Sequence, residues 1–274
     1  SYPPEESREG FSFYNSGSLA GLTVGTTVGS FLAVSLGYLN VYFVAAAVSL
    51  VVLIMILNIF KKDTVYPDLK AEEGEDGTGK ISIVRFLFKK ELIIFFACAM
   101  IPYLFCGYFL NYFLPLFAES QGMAETAIGQ LFLINGICVI YLGPSLTSML
   151  TGRLKLKYTV ILAGAIYIAT LFLFFLFTGN GMVVASAFLF GIADSFGFSA
   201  LSIYFSSLDT VKLFGSGKAM GVYSTFENIS QTLGPFVFSA VFVLGIKQGI
   251  FAITVVYLIL LVLYTLFGKK IDKQ

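Results

Sequence analysis

Two acidic residues lie inside long apolar stretches and are the best placed of this sequence to do chemistry. Asp194 lies about 18 Å from one end of the helix predicted over 182–207, and Glu227 lies about 14 Å from one end of the helix predicted over 218–245. Both are therefore expected near the middle of a membrane. No Lys or Arg lies in the interior of any predicted span. A carboxylate at that depth costs roughly 3 kcal/mol unless it is protonated, paired or hydrated. We therefore expect one or both to bind a proton or a substrate; the alternative is a neutral acid with a structural hydrogen bond.

Polar and aromatic side chains accompany these acids at helical spacing. Asn228 and Gln231 lie beside Glu227, and the helix predicted over 91–118 carries several Tyr and Asn residues. Such side chains can stack on a small organic ligand and hydrogen-bond to it, although tyrosines also occur in apolar cores. The candidate substrate- or proton-binding residues are Asp194, Glu227, Asn228, Gln231, Tyr108, Asn111, Tyr112 and Asn135.

Other residue patterns indicate packing rather than chemistry. A glycine recurs every four residues at Gly17, Gly21, Gly25 and Gly29, which is typical of close helix–helix contact. The chain has no His, and its three Cys residues lie in apolar runs without metal-ligand spacing. Without a nucleophile–base pair or a metal cluster, we expect no enzyme activity, no metal and no cofactor.

The composition indicates a membrane protein. Hydrophobic residues make up 57% of the 274 residues and charged residues 12%, which is about half the charged share of a soluble protein. A soluble fold cannot cover that much apolar surface with so few charges. The net charge of +1 gives no indication of a nucleic-acid partner.

Eight stretches between polar breaks are long enough to cross a bilayer as helices. They cover residues 16–36, 39–60, 91–118, 126–150, 158–178, 182–207, 218–245 and 249–268. With eight crossings, 16 of the 17 basic residues fall on one side and only Lys247 on the other. This distribution predicts that the basic side, with both chain ends, is cytoplasmic.

An internal repeat predicts how the helices are grouped. The segment 16–22 aligns with the segment 216–222, 200 residues later, with one Ser and two Gly in register. Residues 1–60 would then hold the last two helices of one six-helix lobe, 61–90 a connecting loop with a short interfacial helix, and 91–274 a second lobe with a short tail. Four further helices, about 110 residues, would precede Ser1 and complete the first lobe.

These features resemble the major facilitator superfamily. Residues 21–30 are similar to the fifth-helix motif of its drug–proton antiporters, with Thr26 where that motif has Pro. Residues 143–157 are similar to the basic loop motif of the family, with Thr147 at the usual acidic position. The resemblance implies an all-α integral membrane protein with a 6+6 helix bundle, of which helices five to twelve are present here.

The function that follows is transport of small organic molecules by alternating access. Acids without basic partners favour cationic or neutral substrates, so we expect proton-coupled efflux of lipophilic or cationic compounds, from a bacterial cytoplasmic membrane. The expected partners are a small molecule, protons, the lipid bilayer and the missing N-terminal helices. Two alternatives stay open: a proton-coupled importer of a neutral nutrient such as a sugar, and a transporter-like membrane sensor.

Overall fold

The structure is a computed structural model that describes residues 17, 21, 24, 25, 28, 29, 31–59 and 82–271. These residues form helices and contain no strand. The described residues from 17 to 36 are helical, and the later helices are numbered from there. They are α1 (Tyr38–Ile59), α2 (Ile83–Leu87), α3 (Lys90–Ser120), α4 (Glu125–Arg153), α5 (Leu156–Leu176), α6 (Asn180–Ser206), α7 (Asp209–Phe214), α8 (Ser216–Leu244) and α9 (Ile246–Phe267).

The predicted membrane spans reappear as long helices. Six helices in the described part of the chain (α1, α3, α4, α5, α6 and α9) are long and apolar enough to cross a membrane. α8 is also long enough, at 29 residues, but it is more polar because Glu227, Asn228 and Gln231 lie within it. The span predicted over 16–36 falls partly outside the described residues, and the loop segment 60–81 falls wholly outside them.

The start of α9 differs from the sequence expectation. The span is predicted over 249–268, yet α9 already begins at Ile246. Gly245 makes the whole connection by adopting a φ of 94°, a conformation that glycine reaches without steric cost. Lys247 and Gln248 therefore lie in the first turn of α9 rather than in a loop.

Three turns of α3 and α4 are π-helical, and each is followed by a proline. The turns are Phe96–Met100, Phe109–Phe113 and Cys138–Leu142, and the prolines are Pro102, Pro115 and Pro144. A proline has no N–H to donate to the carbonyl four residues before it, and its ring clashes with that carbonyl. In all three places that carbonyl lies inside the π-helical turn, so the wider turn accommodates the proline without ending the helix.

The most buried helix is α6, which packs against α3, α4 and α5. α9 packs against α3, α5 and α8, and α8 also packs against α3. By contrast, every described side chain of α1 is exposed or half-buried within the part of the chain that the structure describes. Asp194, near the middle of α6, is therefore surrounded by several helices.

Side-chain contacts connect the helices at one end of the bundle, where α3, α5 and α8 begin and α9 ends. We call this the basic end. The buried Lys157 Nζ donates hydrogen bonds to the carbonyl oxygens of Thr265 (2.9 Å) and Gly268 (2.7 Å). The Lys269 Nζ forms ion pairs with Asp209 Oδ2 at 2.7 Å and Glu91 Oε2 at 3.1 Å. These contacts join the end of α9 to the starts of α3, α5 and α7. Lys157 also donates to carbonyl groups at the C-terminal end of α9, which have no N–H of a following helical turn to accept from.

The ion pair between Lys269 and Asp209 is stable across the neutral pH range. Its hydrogen bond lowers the pKa of Asp209 and raises the pKa of Lys269. A lowered carboxyl pKa means that the contribution is lost only as pH falls through that folded pKa, and a raised lysine pKa means that it is lost only as pH rises through that one. A change in stability with pH near neutrality therefore does not come from this ion pair.

We expect Lys157→Met to destabilise the bundle. The substitution preserves the apolar stem but leaves the carbonyls of Thr265 and Gly268 without their charged donor, which is expected to lower the free energy of unfolding by about 2 kcal/mol. Thermal unfolding in detergent measures this, with Lys212→Met on an exposed lysine as the matched control. Equal stability of the two variants would contradict the assignment of Lys157 as a helix cap.

Candidate functional site

Asp194 accepts hydrogen bonds from three other helices in the centre of the bundle. Its Oδ1 atom accepts from the hydroxyls of Tyr103 on α3 (3.3 Å) and Tyr167 on α5. Its Oδ2 atom accepts from Nδ2 of Asn135 on α4 at 3.0 Å. Only 6% of Asp194 is exposed. Four helices thus converge on one carboxyl group.

Two glycines of α6 let the neighbouring helices come close enough for these bonds. A Cβ at Gly197 would overlap the Tyr103 phenol, and a Cβ at Gly191 would lie 3.0 Å from Cα of Asn135. Small residues at a membrane helix interface permit such close approach of backbones. The positions of the glycines before and after Asp194 therefore determine which side chains reach it.

Aromatic stacking fixes the orientation of the two tyrosines. The rings of Tyr103 and Tyr167 stack at 4.5 Å with an interplanar angle of 8°, and Tyr167 also stacks on Phe190 at 4.2 Å. Stacked rings of this kind add to the stabilisation that comes from burial. Both hydroxyls are consequently held toward Asp194.

The Tyr103 hydroxyl has two acceptors within reach. Its oxygen lies 3.1 Å from the carbonyl oxygen of Ala193 and 3.3 Å from Oδ1 of Asp194. A hydroxyl has one hydrogen to donate but can also accept a bond. Tyr103 can thus donate to an ionised Asp194, or donate to Ala193 and accept a bond from a protonated Asp194.

The described surroundings of Asp194 contain no basic side chain. The ion pairs of the described residues involve Lys269 at the basic end, and none reaches Asp194. Nor do the described residues bring together three His, Cys, Asp or Glu side chains for a metal ion. In the ionised state, the negative charge is compensated only by neutral hydrogen-bond donors among the described residues, which is a costly arrangement in a membrane interior.

Glu227 belongs to a different surface, on α8. It is half-buried, and its neighbours Asn228 and Gln231 are exposed. Phe236 lies nine residues later, about half a turn around the axis, and is 70% exposed. One exposed face of α8 is therefore polar and the opposite exposed face is apolar. In a membrane the apolar face suits lipid, and the polar face requires water or protein.

Two of the predicted site residues of α3, Tyr108 and Tyr112, contact α8. The Tyr108 ring covers Gly234, and the Tyr112 hydroxyl is 2.9 Å from Oγ of Ser239. Asn111 is exposed, and its side chain donates to the carbonyl of Gly107 at 3.2 Å. Of these three residues, Asn111 has the most accessible polar side chain; their contact with a ligand stays a prediction.

The structure separates five of the eight predicted site residues into two groups. Asp194 and Asn135 form the buried group, whereas Glu227, Asn228 and Gln231 share the polar face of α8. Sequence reasoning missed the part that Tyr103 and Tyr167 play at Asp194, because a tyrosine within an apolar helix carries no local sign of what its hydroxyl meets. A better signal was Gly191 and Gly197 flanking an intramembrane acid.

The predicted packing stripe of Gly17, Gly21, Gly25 and Gly29 makes no helix contact among the described residues. Gly17, Gly21 and Gly25 are exposed and Gly29 is half-buried. No described atom outside their own helix lies within 4 Å of a Cβ added at any of the four. This differs from the close approach of helices that the spacing predicts. The helix-packing role of the four glycines stays a prediction.

A comparison with protein-family models gives a match. The family model described as Major Facilitator Superfamily matches residues 1–212 of the 274-residue chain. The match extends from the first residue through α6 and into α7, and so includes Asp194. A search of curated proteins found no match.

Proposed function

The chain belongs to the major facilitator superfamily, and we propose that it exports small lipophilic or cationic compounds in exchange for protons. Membership in this family makes it a secondary transporter and a multi-pass integral membrane protein. The direction of transport, the coupling ion and the substrate class are our proposal. So are the location in a bacterial cytoplasmic membrane and the cytoplasmic position of both chain ends.

The observation that carries the proposal is the buried Asp194 with its three neutral donors. A carboxyl group that carries protons must be able to exist in both its ionised and its protonated form. Tyr103 and Asn135 stabilise the carboxylate by donating to it, and no basic side chain of the described residues holds it permanently ionised. The cost of an unpaired carboxylate in hydrocarbon provides the drive to take up a proton.

Proton uptake by Asp194 changes the hydrogen bonds between α3 and α6. In the ionised state Tyr103 donates to Asp194, and in the protonated state it donates to the Ala193 carbonyl instead. Tyr103 directly follows Pro102, close to the first π-helical turn of α3, where the helical hydrogen bonds are already irregular. A proton on Asp194 thereby biases the position of α3, as proton-driven alternating access requires.

Glu227 is proposed to bind the cationic part of the substrate. The polar face of α8 exposes Asn228 and Gln231 beside the acid. In the complete 6+6 bundle, with residues 91–274 as the second lobe and four preceding helices completing the first, this face would line the central cavity. The opposite face, with Phe236, would then meet lipid.

Proton movement in inverted membrane vesicles tests this function. A proton gradient is established across vesicles that contain the full-length protein, and a pH-sensitive dye reports the internal pH. Lipophilic cations or neutral sugars are then added. Release of protons on addition of a cation supports efflux by exchange. A response to sugars alone supports the second candidate, and binding without any proton movement in either case contradicts proton coupling.

We expect Glu227→Gln to weaken the apparent affinity for a cationic substrate by about tenfold to hundredfold. A charged partner contributes about 1.5–3 kcal/mol to a hydrogen bond, and the amide removes that charge while keeping the size of the side chain. The dose dependence of the proton signal measures the effect. Glu125→Gln, an exposed acid at the start of α4, is the matched control and should behave as wild type.

The second candidate function is proton-coupled import of a neutral nutrient such as a sugar. The exposed amides of Asn111, Asn228 and Gln231 favour it, because amides both donate to and accept from hydroxyl groups. Under this alternative, Glu227→Gln changes the response to sugars less than removal of the amides does. Comparing Glu227→Gln with Gln231→Ala for each compound class separates the two candidates.

A further inference from the structure

The short helix α2 is attached to the bundle by one aromatic side chain. Phe86 is fully buried and stacks on Phe214 of α7, with ring centroids 4.0 Å apart and an interplanar angle of 15°. Val84 and Phe88 lie two residues to either side of it, so they lie on the opposite side of the helix. They are 58% and 75% exposed. α2 therefore presents a second apolar face away from the part of the protein that the structure describes.

Basic side chains surround this exposed face. Arg85, Lys89 and Lys90 are all exposed, and Lys90 Nζ lies 5.8 Å from the ring centroid of Phe267. The nearest acid in sequence, Glu91, is already engaged by Lys269 and by the hydroxyl of Thr210. Among the described residues, the ion pairs of this end involve none of the three basic side chains.

The position of α2 along the chain places it at the membrane surface. α2 ends at Leu87 and the membrane-spanning α3 begins at Lys90, so two residues separate them. The three steps along the chain from Leu87 to Lys90 reach at most about 10 Å, which is within the headgroup region. Exposed apolar side chains at this depth meet acyl chains, and exposed cations meet phosphates.

We propose that Val84, Arg85, Phe88, Lys89 and Lys90 form a basic–apolar ridge that binds anionic phospholipid. Phe88 and Val84 insert between lipids, and the three cations contact the phosphate and the anionic headgroup. A water-soluble protein partner fits less well, because the ridge lies beside a span and its apolar face would have to leave the bilayer surface to meet such a partner. The proposal is independent of the substrate and the coupling ion.

Tryptophan fluorescence tests the ridge, because the chain contains no Trp. Phe88→Trp, made in a full-length protein in which every Trp outside these 274 residues is replaced by Phe, introduces a single fluorophore at its centre. The protein is placed in phosphatidylcholine nanodiscs in which a fraction of the lipid is brominated phosphatidylcholine or brominated phosphatidylglycerol. We expect brominated phosphatidylglycerol to quench at a severalfold lower fraction than brominated phosphatidylcholine, and high salt to reduce this preference.

Charge removal identifies the cause of the preference. Each substitution of Arg85, Lys89 or Lys90 by Gln is expected to reduce the preference by roughly fivefold at most, until both lipids quench alike. Lys212→Gln and Lys218→Gln, at exposed lysines on the same end, should preserve it. Phe236→Trp, on the apolar face of α8, should be quenched by both lipids without preference.

Two results would overturn the proposal. Equal quenching of the Phe88→Trp variant by both lipids, before any charge is removed, means that the ridge does not select anionic lipid. Absence of quenching by either lipid means that protein covers the ridge. Neither result depends on transport, so a failed transport assay and a failed lipid assay are separate outcomes.

Discussion

Replacing Asp194 with Asn is expected to reduce substrate-driven proton release to the level of vesicles that lack the protein. The amide keeps the shape of the carboxyl group but cannot gain or lose a proton in the relevant pH range. It can still bond to Tyr103, Asn135 and Tyr167, whose hydroxyl and amide groups both donate and accept. We therefore expect loss of coupling with the fold preserved.

Substrate exchange distinguishes loss of coupling from loss of binding. Exchange of labelled for unlabelled substrate across the membrane requires alternating access but no net proton release. In Asp194→Asn this exchange should continue while proton-driven accumulation stops. If both stop although thermal unfolding is unchanged, Asp194 binds the substrate rather than the proton.

The matched control for Asp194→Asn is Asp209→Asn. Asp209 is exposed at the basic end, and its hydrogen bond with Lys269 lowers its pKa, so it stays ionised near neutral pH. Its replacement should leave the proton signal and its pH dependence unchanged. A loss of signal in Asp209→Asn as large as in Asp194→Asn would contradict the assignment of the proton site to the buried group.

The substitution Gly197→Ala is expected to disrupt the buried site by inserting a single methyl group. The new Cβ would overlap the Tyr103 phenol and lie 3.0 Å from Cβ of Ala163. Overpacking of this kind costs about 1–3 kcal/mol, and here the side chain that has to move is the donor to Asp194. We expect lower thermal stability together with weakened proton coupling.

A second glycine of the same helix provides the control for Gly197→Ala. Gly181 is exposed near the start of α6, and nothing lies within 4 Å of a Cβ added there. Gly181→Ala should be neutral or slightly stabilising, because alanine favours the helix. If Gly197→Ala were equally well tolerated, α3 and α6 would not be as close as the structure places them.

The helices follow closely from the sequence because membrane spans obey a local rule. A stretch of about 20 apolar residues must form a helix in hydrocarbon, and this is a property of the stretch alone. The boundaries of α3, α4, α5 and α6 therefore differ by at most three residues from the expectation. The start of α9 differs by the same amount, because Gly245 turns the chain without a longer loop.

The candidate site was only partly predictable, because a local rule identifies the acids but not the side chains that contact them. Asp194 and Glu227 stand out in the sequence because a carboxyl group within an apolar span is costly wherever it points. Their partners are set by contacts between residues far apart in the chain, such as Tyr103 and Tyr167 with Asp194. No local pattern marks a tyrosine as a donor to an acid 91 residues away.

The sequence by itself determined the solvent, the helices and the presence of two intramembrane acids, because hydrophobicity and charge act residue by residue. The tertiary structure decided that these acids belong to different surfaces. Gly191 and Gly197 bring α3 and α4 close to α6 and enclose Asp194, whereas Glu227 lies on the polar face of α8. Which side of a helix is covered depends on the neighbours that pack against it, and these neighbours come from distant parts of the chain.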